Sequence, residues 1–202
     1  MLLPGEGPRQ LAWSTCIPTP YCCETEAMSI RRATFADMER CASIEGSYVT
    51  DYVWQMEEAV TAEGITVAFR RMRLPRHMEV AYPRATQDLN RDLLRNECFL
   101  VADEPGVVLA YLDMTVRRWQ AQGWIEHLVV RPTHRRQGLA THLLEAARKW
   151  GRENNLVAIV GAAQTKNDPA MCLLTKMGYA FAGFIDHYFS NGDIGILYSL
   201  EL

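Results

Sequence analysis

The residues with the clearest chemical use lie between Ile125 and Ala140. Ile125-Glu126-His127-Leu128-Val129-Val130 reads as an apolar strand, Arg131-Pro132-Thr133-His134-Arg135-Arg136-Gln137 as a basic loop, and Gly138-Leu139-Ala140 as the start of a helix. That helix carries Leu139, Leu143, Leu144, Ala147 and Trp150 on one stripe. The first backbone N–H groups of a helix have no partner inside it and sit at the positive end of its dipole. Such an end is an anion site, and it suits a pyrophosphate. Gly138 and Ala140 leave the approach open, while Arg135, Arg136 and Arg131 add positive charge beside it. The loop is neither a Walker A sequence nor a GxGxxG turn. A basic loop that merely caps a helix, with a glycine relieving the turn, is the plain alternative, and spacing alone leaves both open.

Two separate motifs in this chain resemble those of the GCN5-related N-acetyltransferase superfamily. Arg135-Arg136-Gln137-Gly138-Leu139-Ala140 resembles its Q/R-x-x-G-x-G/A signature. Asn167-Asp168-Pro169-Ala170-Met171-Cys172-Leu173-Leu174-Thr175-Lys176-Met177-Gly178-Tyr179 resembles its closing N-x-x-A-x-x-L-Y-x-x-x-G-F segment. The resemblance runs from about Met28 to Leu202. Within it, Ile125–Val130, Thr133–Arg135, Ala147–Trp150 and Gln164–Ala170 are similar to segments of streptothricin acetyltransferases, and Ala182–Asp186 is so more loosely.

The resemblance implies an α/β (α+β) fold with a mixed, mainly antiparallel central sheet and helices on both faces. It implies acetyl-CoA as co-substrate, no metal, and direct transfer of the acetyl group to an amine. The pantetheine arm would pair with the strand before the loop, through backbone groups of Leu128, Val129 and Val130. The diphosphate would lie on Arg135, Arg136, Gln137, Gly138, Leu139 and Ala140, with Asn167 beside the pantetheine. Asn167 also suits a helix N-cap, and one residue can serve both ends. A protonated amine must lose its proton before attack. Glu126, two residues before Leu128 and so on the same strand face, is the expected base; a structural carboxylate paired with an arginine is the other reading. His127 should face the opposite side. The family tyrosine that protonates the leaving thiolate falls at Leu174, which has no proton to give, with Tyr179, Tyr188 and Tyr111 as stand-ins. For the acceptor, the resemblance points to residues 45–63, where Glu45, Asp51, Glu57, Glu58 and Glu63 accompany Tyr48, Tyr52 and Trp54. Tyr52, Trp54 and Asp186 are the expected acceptor contacts, since acidic and aromatic groups together suit a cationic amine; Asp193 could add to them. A solvated acidic helix face is the alternative.

The elements that must hold these residues are legible in outline. Ser29–Ala33 reads as a strand and Thr34 as the cap of a helix, to which Phe35, Met38, Ala42 and Ile44-Glu45 give a partial apolar stripe. Residues 50–62 read as a second helix, with Tyr52, Val53, Met56 and Val60 at helical spacing. Ile65–Arg71 and Met78–Tyr82 read as strands around a turn at Pro75, and Thr86–Arg95 as a helix. Phe99–Ala102 and Val107–Val116 form a hairpin turning at Glu104-Pro105-Gly106. Trp124–Val130 is a strand, Thr133–Glu153 contains a long helix, Leu156–Ala162 is a buried strand and Asp168–Met177 a helix. Tyr179–Tyr188 and Ile194–Leu200 close the chain. Strands and helices mix without a doubly wound repeat.

The whole chain sets bounds. Its 202 residues, 49% hydrophobic, can bury one core. Residues 28–202 are the expected domain. Residues 1–27 hold four prolines and three cysteines without periodicity and read as an extension or arm, with Met28 as the natural start. A net charge of −3 gives no electrostatic case for nucleic acid, and no apolar run is long enough for a membrane helix. Cys16, Cys22, Cys23, Cys41, Cys98 and Cys172 make no C-x-x-C pair, which suits scattered thiols in a reducing, cytoplasmic setting. The expected partner is a small-molecule amine, with a homodimer left open. Acetylation of a peptide or protein amine is a second reading, and a non-catalytic acyl-CoA-binding module, motivated by Leu174, a third.

Overall fold

The computed structural model describes residues 28–84, 89–95 and 97–202; the expected arm at 1–27, with Cys16, Cys22 and Cys23, lies outside the described residues. A seven-stranded sheet forms the body. Its strands are β1 (Ser29–Arg32), β4 (Cys98–Glu104), β5 (Val107–Arg117), β6 (Gln122–Val130), β7 (Ala158–Gln164), β8 (Ala180–Ile185) and β9 (Gly195–Glu201). They run in the order β1-β4-β5-β6-β7-β9-β8, and the β6–β7 pair alone is parallel among them.

Side chains alternate along a strand, and both faces of this sheet are covered. Cys98, Leu100 and Ala102 of β4 meet α3 (Leu139–Glu153) and α4 (Asp168–Lys176) in one core. Phe99 and Val101 of the same strand join Met38 and Cys41 of α1 (Phe35–Ala42) and Leu89 of α2 (Leu89–Leu94) in the other. Thr34 caps α1 as expected, and Arg31 grips the Asp37 carboxylate with two hydrogen bonds of 2.8 Å.

The segment expected as a second helix is instead β2 (Tyr48–Val60), paired antiparallel with β3 (Ile65–Val80) in a separate two-stranded sheet. The period is two: Tyr48, Thr50, Tyr52, Trp54 and Met56 face inward, while Val49, Asp51, Gln55 and Glu57 are exposed. The aromatic and β-branched residues that fit a pleated, half-buried surface outweigh an accidental helical spacing. Pro75 does not end a strand either. Thr50 pairs with Met78 and Tyr52 with Arg73, so Leu74 to His77 bulge out of the ladder, where a proline has no donor to miss.

The hairpin is clamped to the start of α4. Trp54 N–H donates to the Thr165 carbonyl at 2.8 Å, and its indole Nε1 donates to Asp168 Oδ1 at 3.0 Å. Arg71 makes a bidentate pair with the Asp168 carboxylate at 2.7 and 2.8 Å and lies over the Tyr52 ring, 3.6 Å from its centroid. Arg71 thereby holds the Asp168 carboxyl below its usual range. Asp168 is 6% exposed, and removing one partner of a buried charged network leaves the others unsatisfied. Asp168→Ala should therefore cost about 1.5–3 kcal/mol of stability. Urea denaturation reads this directly, and an unchanged midpoint would show that the clamp carries no net energy.

Candidate active site

The β6–β7 ladder has four rungs, from Gln122 opposite Ala158 to Ile125 opposite Gly161. Both strands continue past it, β6 to Val130 and β7 to Gln164, so a wedge opens between their carboxyl ends. The opening coincides with a bulge. Met114 pairs with Ile125 and Asp113 with His127, leaving Glu126 as the extra residue on β6. A bulge breaks the ladder and re-aims side chains.

The wedge widens into a groove of about 450 Å³. Leu128, Val129, Val130, Arg135, Arg136, Gly138, Leu139, Ala140 and Asn167 all line it, so the structure brings together nine of the ten residues expected beside the co-substrate. Gln137 is the exception; it is not among the lining residues, and its amide turns back to the Thr133 carbonyl at 3.4 Å. Gly138 is the N-cap of α3 at φ +89°, and Arg136 is also left-handed at φ +65°. The first intrahelical bond runs from His142 N–H to the Gly138 carbonyl, which leaves the Leu139, Ala140 and Thr141 N–H groups outside that pattern at the helix start. Arg135 is partly spent on structure: it donates to the Val130 carbonyl at 3.0 Å and the Glu45 carbonyl at 3.1 Å, and burial lowers its pKa. Asn167 Oδ1 accepts from Ala170 N–H at 3.1 Å, so it caps α4 while lining the groove.

A deeper recess adjoins the groove and shares Tyr82, Leu128, Asn167, Ala170 and Leu173 with it. Glu126, Arg84, Gln164, Leu174 and Phe189 also line it. Glu126 and Leu128 thus serve one side, as expected, while His127 is buried toward α2. Glu126 does not stand alone. Arg84 Nη1 donates to Oε2 at 2.6 Å and Thr115 Oγ1 to Oε1 at 3.0 Å. The arginine partner foreseen as the structural alternative is therefore present, and it stands at the recess.

The expected acceptor contacts are dispersed. Tyr52 and Trp54 belong to the clamp on Asp168, and Asp186 pairs with His187 in an exposed turn; none of the three lines groove or recess. Tyr48 does line the groove, donating its hydroxyl to Gln164 Oε1 at 2.8 Å, and Gln164 in turn donates to Asp193 at 2.6 Å. Of the stand-in hydroxyls, Tyr111 and Tyr179 are sealed in the core and Tyr188 bonds Arg84 at 3.1 Å; none of them lines the recess. Sequence reasoning missed Tyr82 and Arg84. They sit in an irregular segment more than 40 positions from Glu126, with no local motif to mark them.

Behind the recess lies a buried polar cluster. Tyr82 Oη is 3.0 Å from His127 Nδ1, and the ligand-type atoms of His127, Asp92 and Asp113 lie within 4.8 Å of one another. Burial, then Arg84 and Arg95, pushes His127 down to about 4, so the ring is neutral at pH 7. Burial, then the Asp92 charge, pushes the Asp113 carboxyl up to about 7, with Arg95 at 3.5 Å opposing. A carboxyl whose folded pKa exceeds its unfolded one favours the fold below the unfolded value, and that advantage is lost as pH rises toward 7. Asp113→Asn should remove this slope. Relative to wild type, the variant should gain roughly 1–3 kcal/mol between pH 5 and pH 8. Urea midpoints at the two pH values test it; parallel changes in both proteins would refute the assignment.

Comparison with known proteins places the chain. Residues 65–179 match the acetyltransferase (GNAT) family. A streptothricin acetyltransferase of Escherichia coli is 42% identical over 65 residues, a match spanning 32% of this chain and 37% of that enzyme. A streptothricin acetyltransferase of Streptomyces lavendulae is 24% identical over 158 residues, spanning 76% of this chain and 82% of the relative. Among solved structures, nourseothricin acetyltransferase superposes with a TM-score of 0.72 at 21% identity, covering 87% of this chain and 98% of its own. A protein described as a streptothricin acetyltransferase of Bacillus anthracis, in complex with acetyl coenzyme A, gives 0.69 at 17% identity over 88% and 98%. At these identities the structures speak for the fold, which is the mixed, mainly antiparallel sheet expected from the sequence. The family match covers more than half of the chain, and with it the chain belongs to the acetyltransferase (GNAT) family of N-acetyltransferases.

Proposed function

We propose that this protein transfers the acetyl group of acetyl-CoA to an amine of a small molecule, an antibiotic or a metabolite. The observation that carries the reading is the unpaired edge of β6, continuous with the open N-terminus of α3 along one groove. An extended chain with amide groups can pair with that edge as an added strand. A diphosphate then reaches the helix start, where unpaired N–H groups and Arg136 favour negative charge. The thioester would come to lie near Leu128, at the junction of groove and recess, and the amine would enter through the recess. Glu126 is the base in this reading. Arg84 and Thr115 fix its carboxylate on the recess wall, and it takes the amine's proton directly or through water. The names of the relatives make streptothricin-type antibiotics the first acceptor class to try.

An acceptor panel tests the function. Nourseothricin, kanamycin, spermidine, lysine and a peptide with a free N-terminus are each mixed with acetyl-CoA, and thiol release is followed. Release with one or more of the small amines is expected. Release with the peptide alone would favour a protein or peptide acceptor. Binding of acetyl-CoA without release from any member would leave the non-catalytic module that Leu174 suggested.

Two substitutions test the parts. Gly138→Asp should weaken acetyl-CoA binding by roughly tenfold or more, a cost of about 1.4 kcal/mol per tenfold, by placing a carboxylate at the anion site. Aspartate tolerates left-handed backbone better than most residues, so the fold should persist. Calorimetry with acetyl-CoA reads the change, and unchanged affinity would remove the anion-site assignment. Glu126→Gln should lower kcat by about 10²–10⁴-fold while leaving acetyl-CoA affinity nearly intact. The defect should shrink above the amine's own pKa, where free base is abundant. A pH–rate profile parallel to wild type, with turnover nearly unchanged, would return Glu126 to a structural role beside Arg84.

A further inference from the structure

We propose that the acceptor taken in the recess is an α-amino acid, held with its ammonium group on Glu126 and its carboxylate on Arg84. The inference rests on the transfer reaction proposed above and narrows its acceptor to a zwitterion. Three observations carry it. The first is charge. Among the described residues lining the recess, Arg84 and Glu126 alone carry charge, one of each sign. A polycation entering here would set like charge against Arg84, and like charges in a confined site discriminate strongly against a ligand. A simple amine would compete with Arg84 for the one carboxylate. A zwitterion answers both groups at once.

The second observation is geometry. Arg84 Nη1 and Glu126 Oε2 are 2.6 Å apart, so the two charges of the recess are neighbours. The ammonium and carboxylate of an α-amino acid are neighbours too, separated by a single carbon. Laid antiparallel, the two pairs close a ring of four alternating charges. Arg84 can join that ring without leaving Glu126. A guanidinium has five N–H groups, and among the described residues it gives one to Glu126 and one to the Tyr188 hydroxyl at 3.1 Å. The rings of Tyr188 and Phe189, 5.6 and 5.9 Å from its central carbon, steady the group. Both side chains remain reachable, Arg84 at 25% exposure and Glu126 at 23%. The third observation is size. The recess encloses about 90 Å³ against about 450 Å³ for the groove. It therefore takes the reacting end of a small acceptor, with Ile125, Leu173, Leu174 and Phe189 as apolar walls around the α-carbon.

The protons balance. The nitrogen bonds the thioester carbon, and the carbon–sulfur bond breaks with its electron pair on sulfur. Of the three ammonium protons, one stays on the amide nitrogen, one ends on the thiol sulfur and one leaves through Glu126 to solvent. The products are an N-acetyl amino acid and free coenzyme A, and no oxidant or reductant enters. The acetylated product has no positive charge left for Glu126, so the ring of four charges opens and the product is released.

The test uses the whole protein and acetyl-CoA. Alanine and methionine are each compared with their amides and with the amines left by decarboxylation, and thiol release is expressed per free base. In wild type, kcat/KM for the amino acid should exceed that for its amide and its amine by about 10–100-fold, the worth of charge-assisted bonds to the carboxylate. Arg84→Gln should bring that ratio to within about threefold of one. Any general loss through Glu126 cancels in the ratio, so a merely structural role for Arg84 would not move it. Arg84→Lys, which keeps the charge and loses the planar fork, should retain part of the preference. Equal rates for amino acid, amide and amine in wild type overturn the proposal whether or not the variants fold. A preference that survives in Arg84→Gln overturns it as well. Where that variant is too slow to time, calorimetry of methionine on the protein with coenzyme A bound takes the place of the rate, and affinity equal to wild type has the same force. If wild type releases no thiol with any amine, the transfer reaction fails and this inference with it; if nourseothricin or spermidine reacts and the amino acids do not, the inference alone fails.

Discussion

The site depends on one unfinished hydrogen-bond ladder. β6 and β7 run parallel for four rungs and then part, inside a sheet whose other pairs are antiparallel. Glu126 is inserted at the point of parting. An extra residue bends its strand and leaves ladder groups without partners, which elsewhere would be a liability at a sheet edge. Here each strand hands the chain to the wedge. β6 leads through the basic loop into α3, and β7 leads through Asn167 into α4. Both helix beginnings therefore stand at the carboxyl ends of the two strands, the crevice where open α/β sheets place their ligands.

Charge at this end of the molecule is arranged in answered pairs. Glu126 has Arg84, Asp168 has Arg71, and Asp193 has Lys166 at 2.7 Å. The acidic stretch that suggested a wall for a cationic acceptor is not gathered at the recess. Glu57 pairs with Arg70 across the hairpin at 2.8 Å, and Glu58 and Glu63 lie exposed toward its tip. In the function proposed here, selectivity for an amine would come from a recess holding an arginine–carboxylate pair, amides and aromatic rings rather than from a field of bare carboxylates.

The sequence made some of this legible and hid the rest for physical reasons. The β6–loop–α3 unit could be read because its signal is local: an apolar strand, a basic loop and a small-residue helix start lie within sixteen consecutive positions, Ile125 to Ala140. Asn167 could be read for the same reason, as a cap one residue before an apolar stripe. The segment from Tyr48 to Val60 misled because Tyr52, Val53, Met56 and Val60 satisfy a helical spacing by coincidence, while the alternation of Tyr48, Thr50, Tyr52, Trp54 and Met56 records the actual pairing with β3. Periodicity cannot arbitrate when two periods fit. Tyr82 and Arg84 were invisible because their partners, His127, Glu126 and Tyr188, are distant in the chain.

The misread hairpin has its own part in the site, through position. Its backbone bond from Trp54 to Thr165 and its side-chain bonds to Asp168 bracket Asn167 on both sides. Asn167 is the residue where the β7–α4 turn meets both groove and recess. The same hairpin begins at Tyr48, whose hydroxyl ties Gln164 at the end of β7. One wall of the wedge is thus fixed by its own sheet, and the other by a second sheet that clamps the turn beyond it. Tyr52 and Trp54 line neither groove nor recess; they belong to the clamp that holds the start of α4, Trp54 through its bond to Asp168 and Tyr52 through the Arg71 stacked on its ring.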